Sequence, residues 1–179
     1  PYADIYGGAV LNLTIDRYAF ASITPREDGR LRFEAHDIGE TREYDVNDDL
    51  SNSELLLHRG VYERMIRDYN GGQRIAMTLT TTVDAPMGSG LGSSSALVVA
   101  LVDAFRELLS APLGEYDGAR LAVDSERVDL KLAGGRQDQY AAAFGGRNFS
   151  EFLAEERVIV NPLRLRRDMR NELESSLVT

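Results

Sequence analysis

Asp84-Ala85-Pro86-Met87-Gly88-Ser89-Gly90-Leu91-Gly92-Ser93-Ser94-Ser95 is the stretch on which the reading of this chain turns. Ahead of it, Ile75 to Val83 alternates threonine with apolar residues, the pattern of a half-buried strand. Behind it, Ala96 to Leu109 carries apolar residues on nearly all faces, which predicts a buried helix. Gly88, Gly90 and Gly92 lack Cβ atoms at alternate positions, so the backbone can bend sharply and bring its N–H groups close to a ligand. The serines then open the helix, where unpaired N–H groups and the positive end of the macrodipole attract negative charge and hydroxyls add donors or a metal ligand. Phosphate is the natural guest. A turn that merely joins a strand to a helix is the plain alternative for an isolated Gly-x-Gly. The P-loop is excluded because no Lys follows the glycines, and the dinucleotide fingerprint because Ser93 stands where another glycine is needed.

Working outward, Ala9 to Ile23 reads as two strands or one bent strand around Asp16-Arg17, with further strands at Leu31 to Ala35 and Arg42 to Val46. Leu57, Val61 and Met65 recur at helical spacing between Ser53 and Tyr69, and Gly71-Gly72 stops that helix. Beyond the central helix, a second runs from Gly118 to about Leu132, a short one covers Gln137 to Phe144, strands follow at Asn148 to Leu153 and Arg157 to Val160, and a polar helix spans Arg167 to Ser175. Ser176 to Thr179 reads as a strand beginning. With no internal repeat or linker, the chain is a single α+β domain.

Composition removes other classes. The 179 residues are 43% hydrophobic with a net charge of -9, and no segment interleaves Lys and Arg with aromatics, which argues against a nucleic-acid partner. The absence of cysteine excludes disulfides and thiolate metal sites, His36 and His58 are far apart, and a reducing cytoplasm fits best. The longest apolar run, Ala96 to Val102, is too short to cross a bilayer.

Phosphoryl transfer to an alcohol needs charge neutralisation on the phosphates, usually by a metal, and a carboxylate beside the attacking hydroxyl. Any one of 29 acidic residues is by default a solvated charge. Glu126 stands out because Ala122 and Ala119 precede it on one helical face, a small-residue stripe suited to packing beside a ligand. Asp138 follows the permissive Gly134-Gly135 and precedes Tyr140-Ala141-Ala142-Ala143-Phe144, so it is expected to be partly buried. Its plain alternative is a helix N-cap.

Pro86 with Gly90-Leu91-Gly92-Ser93-Ser94 resembles the phosphate-binding loop of the galactokinase, homoserine kinase, mevalonate kinase and phosphomevalonate kinase (GHMP) superfamily. The resemblance implies an N-terminal domain of the ribosomal protein S5 domain 2-like type, with a mixed or antiparallel sheet packed with helices. It implies ATP bound by Pro86, Gly88, Ser89, Gly90, Leu91, Gly92, Ser93 and Ser94, and Mg2+ held by Ser94 and Glu126. Asp138 becomes the catalytic base or orienting carboxylate, and Gly134, Gly135, Arg136, Gln137 and Asp138 face the substrate, with Arg136 a candidate for its phosphate. For Arg136 the plain alternative is a surface ion pair. Leu132 to Tyr140 is similar to the heptose kinase branch, which implies ATP-dependent phosphorylation of the anomeric hydroxyl of a sugar phosphate, D-glycero-D-manno-heptose 7-phosphate first. Fucokinase-like, mevalonate and homoserine kinase activities, or a non-catalytic binder of nucleotide or sugar phosphate, are the alternatives, and a homodimer is compatible with the family. The resemblance also places an opening strand and a sugar-binding glycine segment before Pro1, and a ferredoxin-like C-terminal domain beginning near residues 176–179.

Overall fold

The threonine-rich segment ahead of the glycine loop forms strand β5 (Met77–Val83), with Met77, Leu79 and Thr81 turned to the buried face. In the computed structural model, which describes residues 6–86, 88–154 and 156–177, β5 is central in a four-stranded mixed sheet of order β2-β5-β3-β4. Its partners are β2 (Ala19–Pro25), antiparallel with Ala19 opposite Val83, and β3 (Arg30–Ala35), parallel with Phe33 opposite Leu79. β4 (Glu40–Asp45) pairs antiparallel with β3 at the edge. A separate antiparallel sheet has the order β1-β6-β7, formed by β1 (Gly8–Leu13), β6 (Arg147–Phe152) and β7 (Val158–Pro162). The segment expected as two strands or one bent strand is thus two strands, in different sheets.

Helix α1 (Leu56–Tyr69) buries His58, Val61, Tyr62, Met65 and Ile66, and ends where the Gly72 N–H returns to the Ile66 carbonyl at 2.9 Å with Gly71 and Gly72 at φ 58° and 77°. Helix α2 (Ser93–Leu109) is the central element, in contact with α1, α3 (Glu115–Asp124), α4 (Gln137–Phe144), β2 and β5. Its Leu101 and Phe105 join Leu31, Phe33, Tyr62, Met65, Met77 and Leu79 in the main core, where the rings of Phe33 and Tyr62, and of Tyr62 and Phe105, meet edge to face at 6.0 and 6.1 Å. A second cluster, Ala119, Tyr140, Phe152 and Val160, joins α3 and α4 to the three-stranded sheet.

Three expectations are corrected. The helix placed at Gly118 to about Leu132 begins at Glu115 and changes at Ser125–Asp129 into a π-helical turn, closed by the Leu130 N–H on the Ser125 carbonyl at 3.1 Å. The Ala119 and Ala122 stripe, expected beside a ligand, packs within the protein's two buried clusters. Ser176, read as the start of a strand, is the last residue of helix α5 (Arg167–Ser176), and Val178 and Thr179 lie outside the described residues. Among the described residues no helix is long and apolar enough to cross a membrane.

Candidate functional site

The glycine loop leaves β5 at Val83 and reaches α2 at Ser93, and its glycines Gly88, Gly90 and Gly92 have φ of 76°, 75° and 73°, left-handed values that any other residue adopts only with strain. Met87 lies outside the described residues. Pro86, Gly88, Ser89, Gly90 and Leu91 are exposed, and the Pro86 carbonyl accepts the Ser89 N–H at 3.2 Å. Gly92 is the N-cap of α2 and contributes no side chain, and no acidic residue occupies the first turn. The first-turn N–H groups at Ser93 to Ser95 therefore have no acid of their own helix to meet. Helix α3 differs, with Glu115 and Asp117 in its first turn and the Asp117 carboxylate accepting the Gly114 N–H at 3.2 Å. One helix neutralises its own terminus and the other presents it.

Two clefts flank this loop. The smaller, about 280 Å³, has mainly apolar walls from Ala35, Ile38, Leu55, Leu57, Val83 and Leu97, and reaches Gly88, Ser93 and Ser94. The larger, about 520 Å³, lies across Gly90, Leu91 and Gly92 and includes Asn12, Arg17, Tyr18, Asp103 and Asp138. Burial raises the Asp103 pKa above its usual value, against the pull of Arg106.

Asp138 is the second residue of α4 and is exposed, not partly buried as its small neighbours suggested; it projects toward the loop. A Cβ built on Gly92 would lie 3.3 Å from both Cβ and Cγ of Asp138. Nor is Asp138 the N-cap of its helix: Arg136 holds that position, with no side-chain capping bond. The neighbouring Gln139 turns inward and is fully buried.

Glu126, carried by the π turn, is 2% exposed and receives donors from three directions. Ser94 Oγ lies 3.4 Å from its Oε1, Ser95 Oγ lies 3.0 Å from its Oε2, and the Gln139 amide nitrogen donates to that same Oε2. The π turn places this carboxylate beneath the start of α2, in keeping with the frequent use of such turns at functional sites. Among the described residues no group of three or more His, Cys, Asp or Glu converges. The donor set Ser94 Oγ and Glu126 Oε1 nevertheless fits Mg2+, which takes hard oxygen ligands and is commonly held by one or two carboxylates plus substrate phosphates.

The segment Gly134 to Gln137, expected to face the substrate, is held from behind. Arg127 donates to the carbonyl of Gly135 at 3.1 and 2.9 Å and to those of Leu132 and Ala133 at 3.3 and 3.1 Å, and Gly134, at φ 149°, leaves room for that guanidinium. Arg136 lies over the Phe152 ring at 5.5 Å and is not among the residues lining the larger cleft; Gln137 is exposed at the start of α4. The cation that does line that cleft is Arg17, which the sequence marks only as part of a polar break between two strands. Its loop is fixed at both ends. Thr14 exchanges hydrogen bonds with Gly146, N–H to carbonyl at 2.8 Å and N–H to hydroxyl at 2.8 Å, and Tyr18 does so with Asp84 at 3.0 and 2.9 Å.

The chain is similar to several known small-molecule kinases. It is 46% identical, over 99% of its length, to a D-glycero-alpha-D-manno-heptose 7-phosphate kinase of Campylobacter jejuni, of which it spans 52%. A crystal structure of a D-glycero-D-manno-heptose 1-phosphate kinase from Bacteroides thetaiotaomicron superposes with a TM-score of 0.91 at 50% identity, covering 98% of this chain and 57% of that one. Mevalonate kinase of Methanococcus jannaschii, at 14% identity and a TM-score of 0.75, covers 92% of this chain and 51% of its own and shares the fold. The chain thus spans about half the length of the relatives it matches. Residues 56–146, from helix α1 through the loop, Glu126 and Asp138 to the double glycine after α4, match the GHMP kinases N terminal domain, and the chain belongs to that family.

Proposed function

We propose that this chain forms the nucleotide-binding and catalytic half of a kinase that transfers the γ-phosphoryl group of ATP to the anomeric hydroxyl of a sugar phosphate, D-glycero-D-manno-heptose 7-phosphate. GHMP kinases use ATP, and the observation that carries the reading is the Asp138 carboxylate facing the Gly92 bend at the head of α2. That arrangement brings a proton acceptor to the loop that receives the phosphates.

The apolar walls of the smaller cleft suit a purine, and its edge at Gly88, Ser93 and Ser94 leads the phosphates to the N-terminus of α2. The backbone N–H groups there and the Ser93 and Ser94 hydroxyls bind phosphate oxygens. Ser94 and Glu126 hold Mg2+, which when bound neutralises charge on the phosphates. Asp138 orients the acceptor hydroxyl in the larger cleft and accepts its proton. At the far side of that cleft Arg17 pairs with the acceptor's phosphate; it is the only cation among the described lining residues, in a protein of net charge -9. Catalysis here is positioning and charge complementarity, with no covalent step required of the protein.

The names of the two similar proteins agree on a heptose phosphate and differ in the phosphate position. The test is therefore turnover by the full-length protein on a panel of the heptose 7-phosphate, the heptose 1-phosphate, fucose, mevalonate and homoserine, with ATP and Mg2+. Preferential phosphorylation of C1 of the 7-phosphate is expected. Preference for mevalonate or homoserine would overturn the substrate, and tight ATP binding without turnover of any acceptor would overturn the kinase reading.

A further inference from the structure

Gln139 is fully buried and was not singled out from sequence, yet its amide donates to the candidate metal ligand. Its Nε2 donates to Glu126 Oε2 and also to Ser95 Oγ at 3.0 Å, while Ser95 Oγ itself donates to Glu126 Oε2 at 3.0 Å. Ser95, at 4% exposure, and Glu126 share that burial, so the three side chains close a ring of hydrogen bonds inside the protein. The orientation of the amide follows from the chemistry. Reversed, its Oε1 would face Glu126 Oε2, one acceptor against another. As it stands, Oε1 is buried with no hydrogen-bond partner among the described residues, an unfavourable state for an acceptor. A side chain present only to fill this space would be more stable as Leu or Met.

The consequence lies on the carboxylate. Oε2 is committed to two protein donors, and Oε1 is left beside the Ser94 hydroxyl at 3.4 Å. We infer that Gln139, acting with Ser95, is a positioning residue that fixes the Glu126 carboxylate so that it offers a divalent cation a single oxygen. This rests on the reading of Glu126 as a metal ligand given above. One-oxygen presentation suits the small octahedral Mg2+, whereas Ca2+ accepts bidentate carboxylates and a larger ligand set. Freed of Gln139, the carboxylate can turn and offer both oxygens, so discrimination between the two ions narrows.

The test is Mn2+ binding to the full-length protein with a non-hydrolysable ATP analogue, followed by electron paramagnetic resonance, with Mg2+ and Ca2+ as competitors. Outer-shell partners of metal ligands are commonly worth about 10–100-fold in affinity, and Gln139→Met, which keeps the volume and removes the donor, is expected to raise the Mn2+ dissociation constant by that factor. The Mg2+ to Ca2+ competition ratio falls with it, while affinity for the metal-free nucleotide holds. A folded Gln139→Met with unchanged Mn2+ affinity and competition overturns the inference. If that variant does not fold, Ser95→Ala and Ser95→Thr decide: weaker Mn2+ binding in the first, restored by the hydroxyl of the second, supports the inference, and equality of Ser95→Ala with wild type overturns it. Glu126→Gln separates the two levels. If it leaves Mn2+ binding intact, the metal-ligand reading fails, and this inference falls with it; if it alone weakens binding, only the role of Gln139 fails.

Discussion

Gly92 and Asp138 are 46 positions apart in the chain and in van der Waals reach in the fold: the place a Gly92 side chain would occupy is 3.3 Å from the Asp138 Cβ and Cγ. Gly92 also has φ of 73°. Two requirements meet at one residue, a left-handed bend leading into the first turn of α2 and clearance for a carboxylate. Gly92→Ala is expected to weaken ATP binding and turnover together. Left-handed backbone costs an L-residue about 1–2 kcal/mol, and the pressed carboxylate loses its place as well. Kinetic assays with varied ATP check this; wild-type kcat and KM would show that the close approach is incidental.

Arg17 lines the larger cleft on a loop fastened by Thr14–Gly146 and Tyr18–Asp84 hydrogen bonds. Charge-assisted hydrogen bonds are worth about 1.5–3 kcal/mol, so Arg17→Ala is expected to raise the acceptor KM about 10–100-fold with little change in the KM for ATP. The same comparison with Arg136→Ala, whose guanidinium stacks over Phe152, should show a loss of stability more than of acceptor affinity.

Legibility from sequence divided along physical lines. The loop and α2 were readable because φ above zero demands glycine at alternate positions and a buried helix is apolar on nearly all faces, both local properties. The π turn was not, since one extra residue per turn leaves Ala119, Ala122 and Glu126 at α-helical spacing while moving Glu126 under α2. The exposure of Asp138 was misjudged from its small neighbours; the helical step turns 138 outward and 139 inward, and polarity alone does not reveal that Gln139 is the buried one. Which arginine lines the larger cleft depends on bonds between residues 14 and 146 and between 18 and 84, separations at which sequence carries no pattern.

Gly60, inside α1, faces Leu130 at the end of the π turn, and a Cβ there would lie 2.7–2.9 Å from the Leu130 side chain. Alanine improves helix propensity by about 1 kcal/mol, while overpacking costs about 1–3 kcal/mol. Gly60→Ala is therefore expected to lower the melting temperature and, by pushing Leu130, to weaken Mg2+ dependence through Glu126. A higher melting temperature would mean that the contact relaxes freely.

His58 is buried at the base of the smaller cleft, its Nε2 2.9 Å from Thr81 Oγ1, and burial lowers its pKa from 6.5 to about 4 against the opposing pull of Asp37. The folded state thus resists protonation that the unfolded chain accepts. Its contribution is complete above pH 6.5 and is lost as pH falls from 6.5 toward 4, on the order of 3 kcal/mol in all. Urea unfolding across that window should show wild-type stability declining more steeply than that of His58→Gln; parallel curves would remove His58 from the acid response.

Asp138→Asn in the full-length protein tests the central claim most directly, with phosphoryl transfer and ATP binding measured on the same preparation. The asparagine keeps the size and place beside Gly92 and removes the proton acceptor. Turnover is expected to fall about 10²–10⁴-fold with the ATP dissociation constant within about twofold of wild type. Turnover at the wild-type rate would contradict the assignment of the loop and Asp138 as the two sides of a phosphoryl-transfer site.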